Sequence, residues 1–373
     1  MEVAVVLPSK DEQETIGICI DKIRRVLDDN GIKGEIIVAD NSKDETPNIA
    51  RGMGADVITP DRKGYGYAYR YAFKYLRDKH GKIPRYVIIG DADDTYDFAE
   101  IPRLLEPLKE GSADMVIGSR FKGRIERGAM PWHRRYIGNP VLTWFLNLFY
   151  GAGVSDAHSG FRAIRGEALE RLELWMDGME FASEMIVEAV RKGLRIREVP
   201  ISYHRRRNAR SKLSSLSDGW RHLKFMLMFA PDYLFLYPSL FISFAGILLM
   251  LSAFLNIYVG YTPGIHSLIA GSILLVSGYQ GLFFEVFARV LQFRGLPQFL
   301  TLENGAMISV SVFSAGFVWI LKMASDWFRS GFTLLPPVEH SVICLTLITL
   351  SMQTFLSTFM LSILTEHRRR WTS

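Results

Sequence analysis

Three carboxylates come directly after a short apolar run near residue 90. Val87–Ile89 is rich in β-branched residues, and Asp91, Asp93 and Asp94 follow it within a few positions. Carboxylates this close repel one another unless a positive charge lies among them, and a hard divalent cation commonly supplies it. Mg²⁺ takes one or two protein carboxylates and completes its shell with phosphate oxygens and water. The run predicts a metal site at Asp91 and Asp93, against the alternative of an acidic, solvated turn.

Two further polar runs could belong to the same site. Asp40 ends a second apolar run, and a carboxylate at such a position can hydrogen-bond a ribose or a base edge. An Asx turn that leads into the next helix explains Asp40 equally well. Lys63 and Gly64 open a predicted helix, where a glycine beside cations can approach a diphosphate closely. This second run matches neither the Walker A nor the G-x-G-x-x-G pattern.

Alternating strands and helices position these residues. Polar, helix-periodic stretches such as Glu14–Leu27 and Tyr67–Arg77 lie between short apolar runs at Val3–Leu7, Ile36–Ala39, Tyr86–Ile89 and Met115–Ile117. This order predicts a parallel α/β sheet up to about residue 212. In such sheets the ligand site lies beyond the carboxyl ends of the strands.

The composition changes sharply after residue 212. The mean hydropathy of the 373-residue chain is +0.11, which averages a polar part with an apolar part. Four segments are long enough to cross a hydrocarbon core of about 30 Å: Tyr233–Ile257, His266–Phe287, Ala306–Met323 and Ser341–Leu364. Glu285 and Arg289, near the end of the second segment, either pair or mark the membrane interface. We therefore predict a catalytic domain at 1–212, an amphipathic interface helix or linker at 213–232, a four-helix transmembrane domain at 233–367 and a basic tail at 368–373.

The charges predict the orientation and the class of partner. The turn Tyr258–His266 has no Lys or Arg, whereas the tail carries Arg368–Arg370, so the positive-inside rule places the N-terminal domain and the tail in the cytoplasm. The loop with Lys322 and Arg329 falls outside, against that rule. Only two cysteines are present, which fits a reducing compartment. The net charge of +5 indicates an anionic partner, but no basic stripe with interleaved aromatics indicates nucleic acid.

Taken together, these positions resemble the family 2 glycosyltransferases, which have the Rossmann-like GT-A fold. Additional motifs are similar to those of the polyprenyl-phosphate glycosyltransferases, the group that contains dolichol-phosphate mannose and glucose synthases. They are Gly118-Ser119-Arg120, Asp156 with Ser159-Gly160-Phe161-Arg162, Glu198-Val199-Pro200-Ile201, and Arg206 with Ser211-Lys212. Ala209 stands where the family usually has Gly, and Thr95 where some members have a Gln at the metal.

The resemblance implies a role for each matching residue. The residues implied at the nucleotide-sugar are Pro8, Glu12, Asp40, Lys63, Gly64, Asp91, Ala92, Asp93, Arg206 and Lys212. Mg²⁺ or Mn²⁺ is expected at Asp91, Asp93 and Thr95. The residues implied at the acceptor phosphate are Arg120, Arg134, Arg135 and Ser211. The expected catalytic residues are Asp91, Asp93, Arg120 and Arg134.

The expected reaction moves a hexose from a nucleotide-sugar of the GDP-mannose or UDP-glucose type to a polyprenyl (dolichyl) phosphate with inversion. A phosphate acceptor is largely dianionic at neutral pH, so it needs positioning by arginines rather than a strong general base. Amphipathic stretches at Trp132–Phe149 and Leu213–Phe229 would bring the domain to the lipid bilayer, helped by the basic cluster Arg205, Arg206, Arg207, Arg210 and Lys212. Glu184 is expected either at the acceptor or sugar hydroxyls or on an exposed helix face.

Two other functions remain open on the sequence alone. A glycolipid synthase would use a lipid hydroxyl as acceptor and would need a base, for which Asp93 or Asp94 is the candidate. A non-enzymatic subunit for translocating lipid-linked sugars is the other, although the predicted spans lack charged midplane residues. The sugar, the nucleotide and the oligomeric state are not determined by the sequence.

Overall fold

The chain forms two compact units. The computed structural model describes residues 1–207, 215–258, 260–292, 300–333 and 335–372. The first unit is Met1–Met226 and the second is Leu227–Ser373. The domain bounds given above at 212, 232 and 367 stay a prediction. Ala209, Ser211 and Lys212, named in the sequence prediction, lie outside the described residues.

A mixed β-sheet forms the centre of the first unit. Its strands in the described residues are β1 (Val3–Ser9), β2 (Gly34–Asp40), β3 (Asp56–Ile58), β4 (Tyr86–Ile89), β5 (Met115–Ile125), β6 (Arg162–Arg165) and β7 (Ile196–Tyr203). They are arranged in the order β3-β2-β1-β4-β6-β5-β7. β6 runs antiparallel to both of its neighbours, so the prediction of a parallel sheet was wrong at this strand. After β5 the chain stays at the carboxyl edge of the sheet and re-enters from that edge, which reverses the direction of β6.

Helices cover the sheet in the first unit. They are α1 (Ile16–Asp29), α2 (Thr46–Gly52), α3 (Tyr65–His80), α4 (Ile101–Lys109), α5 (Asn139–Tyr150), α6 (Gly166–Glu170), α7 (Phe181–Arg191) and α8 (Ser215–Phe229). The spacing of apolar residues explains how they pack: α1 buries Ile16, Ile20, Ile23 and Leu27, which share one helical face. The strand β1 is buried on both faces, as expected for a parallel strand between helical layers.

The sheet register brings three polar segments to one edge. β1 pairs in parallel with β2, with Ser9 opposite Asp40, and with β4, with Val6 opposite Ile89. The residues that follow these three strands therefore emerge side by side. This is the edge at which parallel sheets bind ligands, and it carries the carboxylates identified from the sequence.

The second unit is helical. It contains α9 (Tyr237–Phe254), which follows a π-helical turn at Asp232–Leu236, and then α10 (Ile265–Leu291), α11 (Leu302–Arg329) and α12 (Val338–Thr372). By length and composition, four helical stretches of the described chain could each cross a membrane: Asp232–Phe254, Ile265–Leu291, Leu302–Arg329 and Val338–His367. Glycines allow α9 and α10 to pack closely, since a Cβ at Gly246 would lie 2.7 Å from the carbonyl oxygen of Gly271.

An ion-pair cluster links the start of α9 to α10. The guanidinium of Arg289 donates from Nε to Glu285 Oε1 at 2.5 Å and from Nη2 to Asp232 Oδ1 at 2.5 Å. Glu285 is buried. Of the two alternatives for Glu285 and Arg289, the structure shows pairing, with Asp232 as a third member that the sequence prediction did not include.

Replacing Arg289 by Gln should destabilise the second unit. The change leaves Glu285 and Asp232 without their cation, and breaking a buried pair costs about 3–5 kcal/mol. Because the Arg289 side chain is 32% exposed, we expect a smaller loss, about 1–3 kcal/mol. The thermal unfolding midpoint of the detergent-solubilised chain measures it. Arg329→Gln is the control, because Arg329 is exposed and forms no ion pair within the described residues. Equal midpoints for the two variants would contradict the prediction.

Candidate active site

A cavity of about 730 Å³ opens in the first unit. Its wall includes six of the residues predicted from the sequence: Asp91, Asp93, Thr95, Arg120, Arg134 and Arg206. Seven other described residues predicted at the nucleotide-sugar or the acceptor phosphate do not line it: Pro8, Glu12, Asp40, Lys63, Gly64, Ala92 and Arg135. Acidic and basic side chains thus share one cavity, as a site for a metal and anionic ligands requires.

Asp91 and Asp93 form the acidic part of the cavity. Asp91 Oδ1 accepts a hydrogen bond from the Tyr65 hydroxyl at 2.9 Å. Burial, together with the charge of Asp93, raises the pKa of Asp91 to about 7. A Cβ at Gly160 would lie 2.9 Å from Asp91 Oδ2, so the glycine leaves that oxygen accessible. Asp91 and Asp93 together are a fitting donor pair for a divalent cation.

Few side chains of the cavity could serve as metal ligands. Within the described residues, no group of three His, Cys, Asp or Glu side chains could hold a metal ion by itself. Two carboxylates nevertheless suit Mg²⁺ or Mn²⁺, because phosphate oxygens and water complete the shell. The Thr95 hydroxyl donates to Asp93 Oδ1 at 2.6 Å, and the Thr95 backbone N–H donates to the same oxygen at 3.2 Å. Thr95 therefore orients Asp93, and its role as a third metal ligand stays a prediction.

Arg206 lies between two carboxylates. Its Nη2 donates to Glu12 Oε1 at 2.6 Å, and its Nε lies 3.5 Å from Asp93 Oδ2. Glu12 follows β1 and Arg206 follows β7, so the fold joins residues 194 positions apart. The structure thus brings together Glu12 and Arg206, two of the residues predicted at the nucleotide-sugar.

Arg120 is paired with a buried carboxylate at the cavity wall. Its Nε and Nη2 donate to the two carboxylate oxygens of Asp156, both at 2.7 Å, and its backbone N–H donates to Asp156 Oδ2 at 3.0 Å. Both side chains are buried. If Arg120 were to bind a phosphate through both Nε and Nη2, these two atoms would have to leave Asp156. Arg120 therefore supplies a fixed positive charge at the cavity wall, with its remaining N–H groups free of Asp156.

The two arginines predicted beside Arg120 differ in position. Arg134 begins a π-helical turn, Arg134–Gly138, and lines the cavity. The guanidinium of Arg135 lies over the ring of Tyr136, 5.4 Å from its centroid, and Arg135 does not line the cavity. Of this pair, Arg134 therefore lies at the cavity wall, and the contact of either arginine with an acceptor phosphate stays a prediction.

Asp40 is held in an Asx turn. Its carboxylate accepts from the Ser42 hydroxyl at 2.5 Å and from the Ser42 backbone N–H at 3.1 Å. Asp44 makes the same pair of contacts with Thr46, the first residue of α2. The Asx-turn alternative is thus present in the structure, and the contact of Asp40 with a nucleotide stays a prediction.

Gly64 and Gly66 fit against a neighbouring loop. A Cβ at Gly64 would lie 2.4 Å from the carbonyl oxygen of Asp177, and a Cβ at Gly66 would lie 2.3 Å from that of Met176. The Gly66 N–H donates to the Asp177 carbonyl at 2.9 Å. Close packing explains both glycines, and Lys63 beside them is exposed. The diphosphate contacts predicted for Lys63 and Gly64 stay predictions.

Comparison with known proteins identifies the family. Residues 4–173 match the family model described as Glycosyl transferase family 2, and residues 292–365 match Glycosyltransferase family 2 C-terminal transmembrane region. The low-salt glycan biosynthesis hexosyltransferase Agl6 of Haloferax volcanii is 43% identical over 97% of this chain and 89% of its own. The chain belongs to glycosyltransferase family 2.

Two further similarities cover a smaller part of the chain. The dolichyl-phosphate hexose transferase of Haloferax volcanii is 34% identical over 58% of this chain and 89% of its own. A solved mycobacterial protein is 24% identical with a TM-score of 0.50, covering 61% of this chain and 74% of that one, which bears on the fold alone. The predicted GT-A fold with a four-helix transmembrane region is confirmed. The chain is a membrane glycosyltransferase.

Ser183, His158 and His222 form a polar cluster at the glycosyltransferase site, and the sequence did not predict that they lie together. Ser183 Oγ lies 2.8 Å from His222 Nδ1, and the rings of His158 and His222 are 4.5 Å apart. Both histidines line the cavity. Burial lowers the pKa of His222 to about 4 and holds that of His158 well below its usual value, so both rings are neutral at pH 7. The amphipathic period of α8 places His222 on its buried face, the only signal in the sequence that points to it.

Glu184 of the glycosyltransferase supports a loop. It is fully buried, so the expectation of an exposed helix face was wrong, and it does not line the cavity. Its Oε1 accepts from the backbone N–H of Trp175 at 2.8 Å and of Met176 at 3.1 Å. Burial raises the pKa of Glu184 to about 7. Glu184 thus fixes the loop that packs against Gly64 and Gly66.

The Glu184→Gln variant should show a different pH dependence of stability. The folded-state pKa of Glu184 lies above that of an unfolded Glu, so the folded chain binds the proton more tightly. The stability that results is present below about pH 4.5 and is lost as the pH rises through about 7. Gln does not titrate, so the variant should gain up to roughly 3 kcal/mol relative to the unmodified chain between pH 5 and 8.

Thermal unfolding of the full chain in detergent at several pH values measures this difference. The control is Glu167→Gln, because Glu167 is exposed on α6. A difference between Glu184→Gln and the unmodified chain that stays constant from pH 5 to 8 would show that Glu184 does not titrate in this range.

Proposed function

We propose that this membrane glycosyltransferase is an inverting, metal-dependent hexosyltransferase that uses a nucleotide-sugar donor and a polyprenyl (dolichyl) phosphate acceptor. One observation carries the proposal: a single cavity joins the carboxylates Asp91 and Asp93 to the cations Arg120, Arg134 and Arg206. This arrangement suits two phosphate groups that meet at a metal. The names of the two Haloferax relatives support a hexose as the group transferred and dolichyl phosphate as an acceptor.

Asp91 and Asp93 would hold Mg²⁺ or Mn²⁺ on the donor side. The cation would neutralise the charge that develops on the departing nucleoside diphosphate. Arg206 lies beside Asp93 and would contribute a second positive charge to the same leaving group. The remaining contacts with the nucleotide-sugar are proposed for Pro8, Glu12, Asp40, Lys63, Gly64, Ala92 and Lys212.

Arg134 would bind the acceptor phosphate, with Arg120 as a fixed charge nearby and with Arg135 and Ser211 as further contacts. A phosphate oxygen attacks the anomeric carbon while the bond from that carbon to the diphosphate oxygen breaks, and the electron pair leaves with the diphosphate. No proton is transferred in this step, because the acceptor is already ionised. The two cavity histidines, whose pKa values burial lowers, are weak bases, which agrees with a reaction that needs no strong base.

A lipid hydroxyl acceptor fits the site less well, because it would require a general base. Asp94 is unsuited to that role, since its carboxylate is paired with Lys22 and Arg207. Asp93 already accepts two hydrogen bonds from Thr95 and lies beside Arg206, and it is proposed as a metal ligand rather than as a base. We therefore favour the phosphate acceptor.

The membrane would hold the acceptor chain. Large apolar side chains are exposed along the turn before α5, on α5 and on α8, among them Trp132, Trp144 and Trp220. Aromatic residues of this kind are stabilised at the headgroup level of a bilayer. We propose that the domain at 1–212 and the basic tail at 368–373 are cytoplasmic, that the segment 213–232 lies at the bilayer interface, and that 233–367 spans the membrane.

Transfer of labelled hexose from candidate nucleotide-sugars tests the proposal. Membranes that contain the chain should form acid-labile lipid-linked sugar with polyprenyl phosphate and Mg²⁺ or Mn²⁺, and Asp91→Asn and Asp93→Asn should each lower the rate by at least about 100-fold. Asp97→Asn is the matched control: Asp97 lies in the same turn and only caps a short helix. Full activity of Asp91→Asn, or transfer to a lipid alcohol alone, would refute the proposal.

Arg134 should matter more for the acceptor than Arg135. Arg134→Gln should raise the KM for polyprenyl phosphate by about 10- to 100-fold, the loss expected for a charge-assisted contact with phosphate. Arg135→Gln carries the same change of charge one residue away, at a side chain outside the cavity, and should change that KM by less than about threefold. Steady-state rates at varied acceptor concentration measure both. A larger effect at Arg135 would reverse the assignment.

A further inference from the structure

Asp94 is the third carboxylate of the acidic run, and it does not line the cavity. It is buried, and its φ of 58° is left-handed, a conformation that Asp and Asn tolerate better than most residues. Its Oδ1 accepts from Lys22 Nζ at 2.8 Å, and its Oδ2 accepts from Arg207 Nε at 3.1 Å. The backbone turn thus separates Asp94 from Asp91 and Asp93 and gives it cations of its own.

The segment 204–207 lies along the acidic run. The His204 N–H donates to the Thr95 carbonyl at 2.8 Å. Arg206 lies at Asp93, and Arg207 lies at Asp94, so two consecutive cations meet two consecutive carboxylates. Both arginines line the cavity, but 61% of the Arg207 side chain is exposed, whereas that of Arg206 is only 23% exposed. The pairing fixes the register of this segment against the cavity.

We propose that Asp94 is a positioning residue for Arg206. By holding Arg207, and being held in turn by Lys22 of α1, Asp94 keeps the neighbouring Arg206 at Glu12 and Asp93, where the diphosphate of the donor would enter. An arginine already in place loses less conformational entropy when it binds a phosphate. The proposal rests on the proposed function for the identity of the donor, but the ion pairs themselves exist without donor or metal.

The first test uses the full chain without nucleotide and with EDTA. Trypsin cleaves after arginine, and the paired segment should resist it because cleavage requires local opening. Asp94→Asn keeps the left-handed turn but removes the charge, and it should raise the rate of cleavage after Arg206 and Arg207 by about three- to tenfold. Asp97→Asn should leave this rate unchanged. Equal rates for Asp94→Asn and the unmodified chain would overturn the proposal, whatever the donor is.

The second test is a double-mutant cycle on the transfer reaction. Asp94→Asn and Arg207→Gln should each raise the KM for the nucleotide-sugar by about three- to tenfold with kcat nearly unchanged, and the double variant should be no worse than either alone. Arg207→Lys should restore most of the loss. Additive effects of the two substitutions on KM would assign Asp94 a purely structural role. The same conclusion would follow if Arg207→Gln had no effect while Lys22→Gln and Asp94→Asn raised KM equally. Inactivity of the unmodified chain would instead count against the proposed function.

Discussion

Negative charge at one edge of the sheet is the constraint on which the site depends. Parallel pairing of β1 with β2 and β4 brings the residues after three strands together, and these include Glu12 and Asp91–Asp94. Such a group of carboxylates is stable only with compensating cations. The chain supplies them from distant elements: Lys22 from α1, and Arg206 and Arg207 from the segment after β7. A divalent metal at Asp91 and Asp93, as proposed, would add a further positive charge to this edge.

Buried polar contacts position the rest of the cavity wall. Asp156 fixes Arg120, and Glu184 fixes the loop that covers the start of α3 through Gly64 and Gly66. Arg162 is also buried, and it donates to three backbone carbonyls, those of Ala157, Ser159 and Ala182. Groups in such networks cost free energy when a partner is lost. These contacts hold Arg120, Glu184 and Arg162 in place, and Arg134 and Arg206 are the arginines proposed to meet substrate.

The sequence predicted local features well and distant pairings poorly. The strand at Tyr86–Ile89, the acidic turn after it and the apolar spans follow from residue patterns within a short window, and the structure contains them. The reversed direction of β6 depends on where the chain re-enters the sheet, which no local pattern encodes. The sequence predicted Arg120 as a phosphate ligand, but it did not show the ion pair with Asp156, which is 36 positions away. The alternative of an exposed helix face for Glu184 was wrong because the backbone N–H groups that bind this side chain belong to a separate loop.

The contact between His222 and Ser183 gives α8 a second role. This helix is amphipathic and exposes Trp220, yet it also supplies Gly219 and His222 to the cavity wall. A fragment that ended at residue 214 would keep the carboxylates of the acidic run and would look complete by its motifs. It would nevertheless lose His222, which lies 2.8 Å from the buried Ser183 hydroxyl, and that hydroxyl would keep only the longer contact of 3.5 Å with His158 Nε2 among the described residues. The cavity wall thus extends beyond the residues that carry the family motifs.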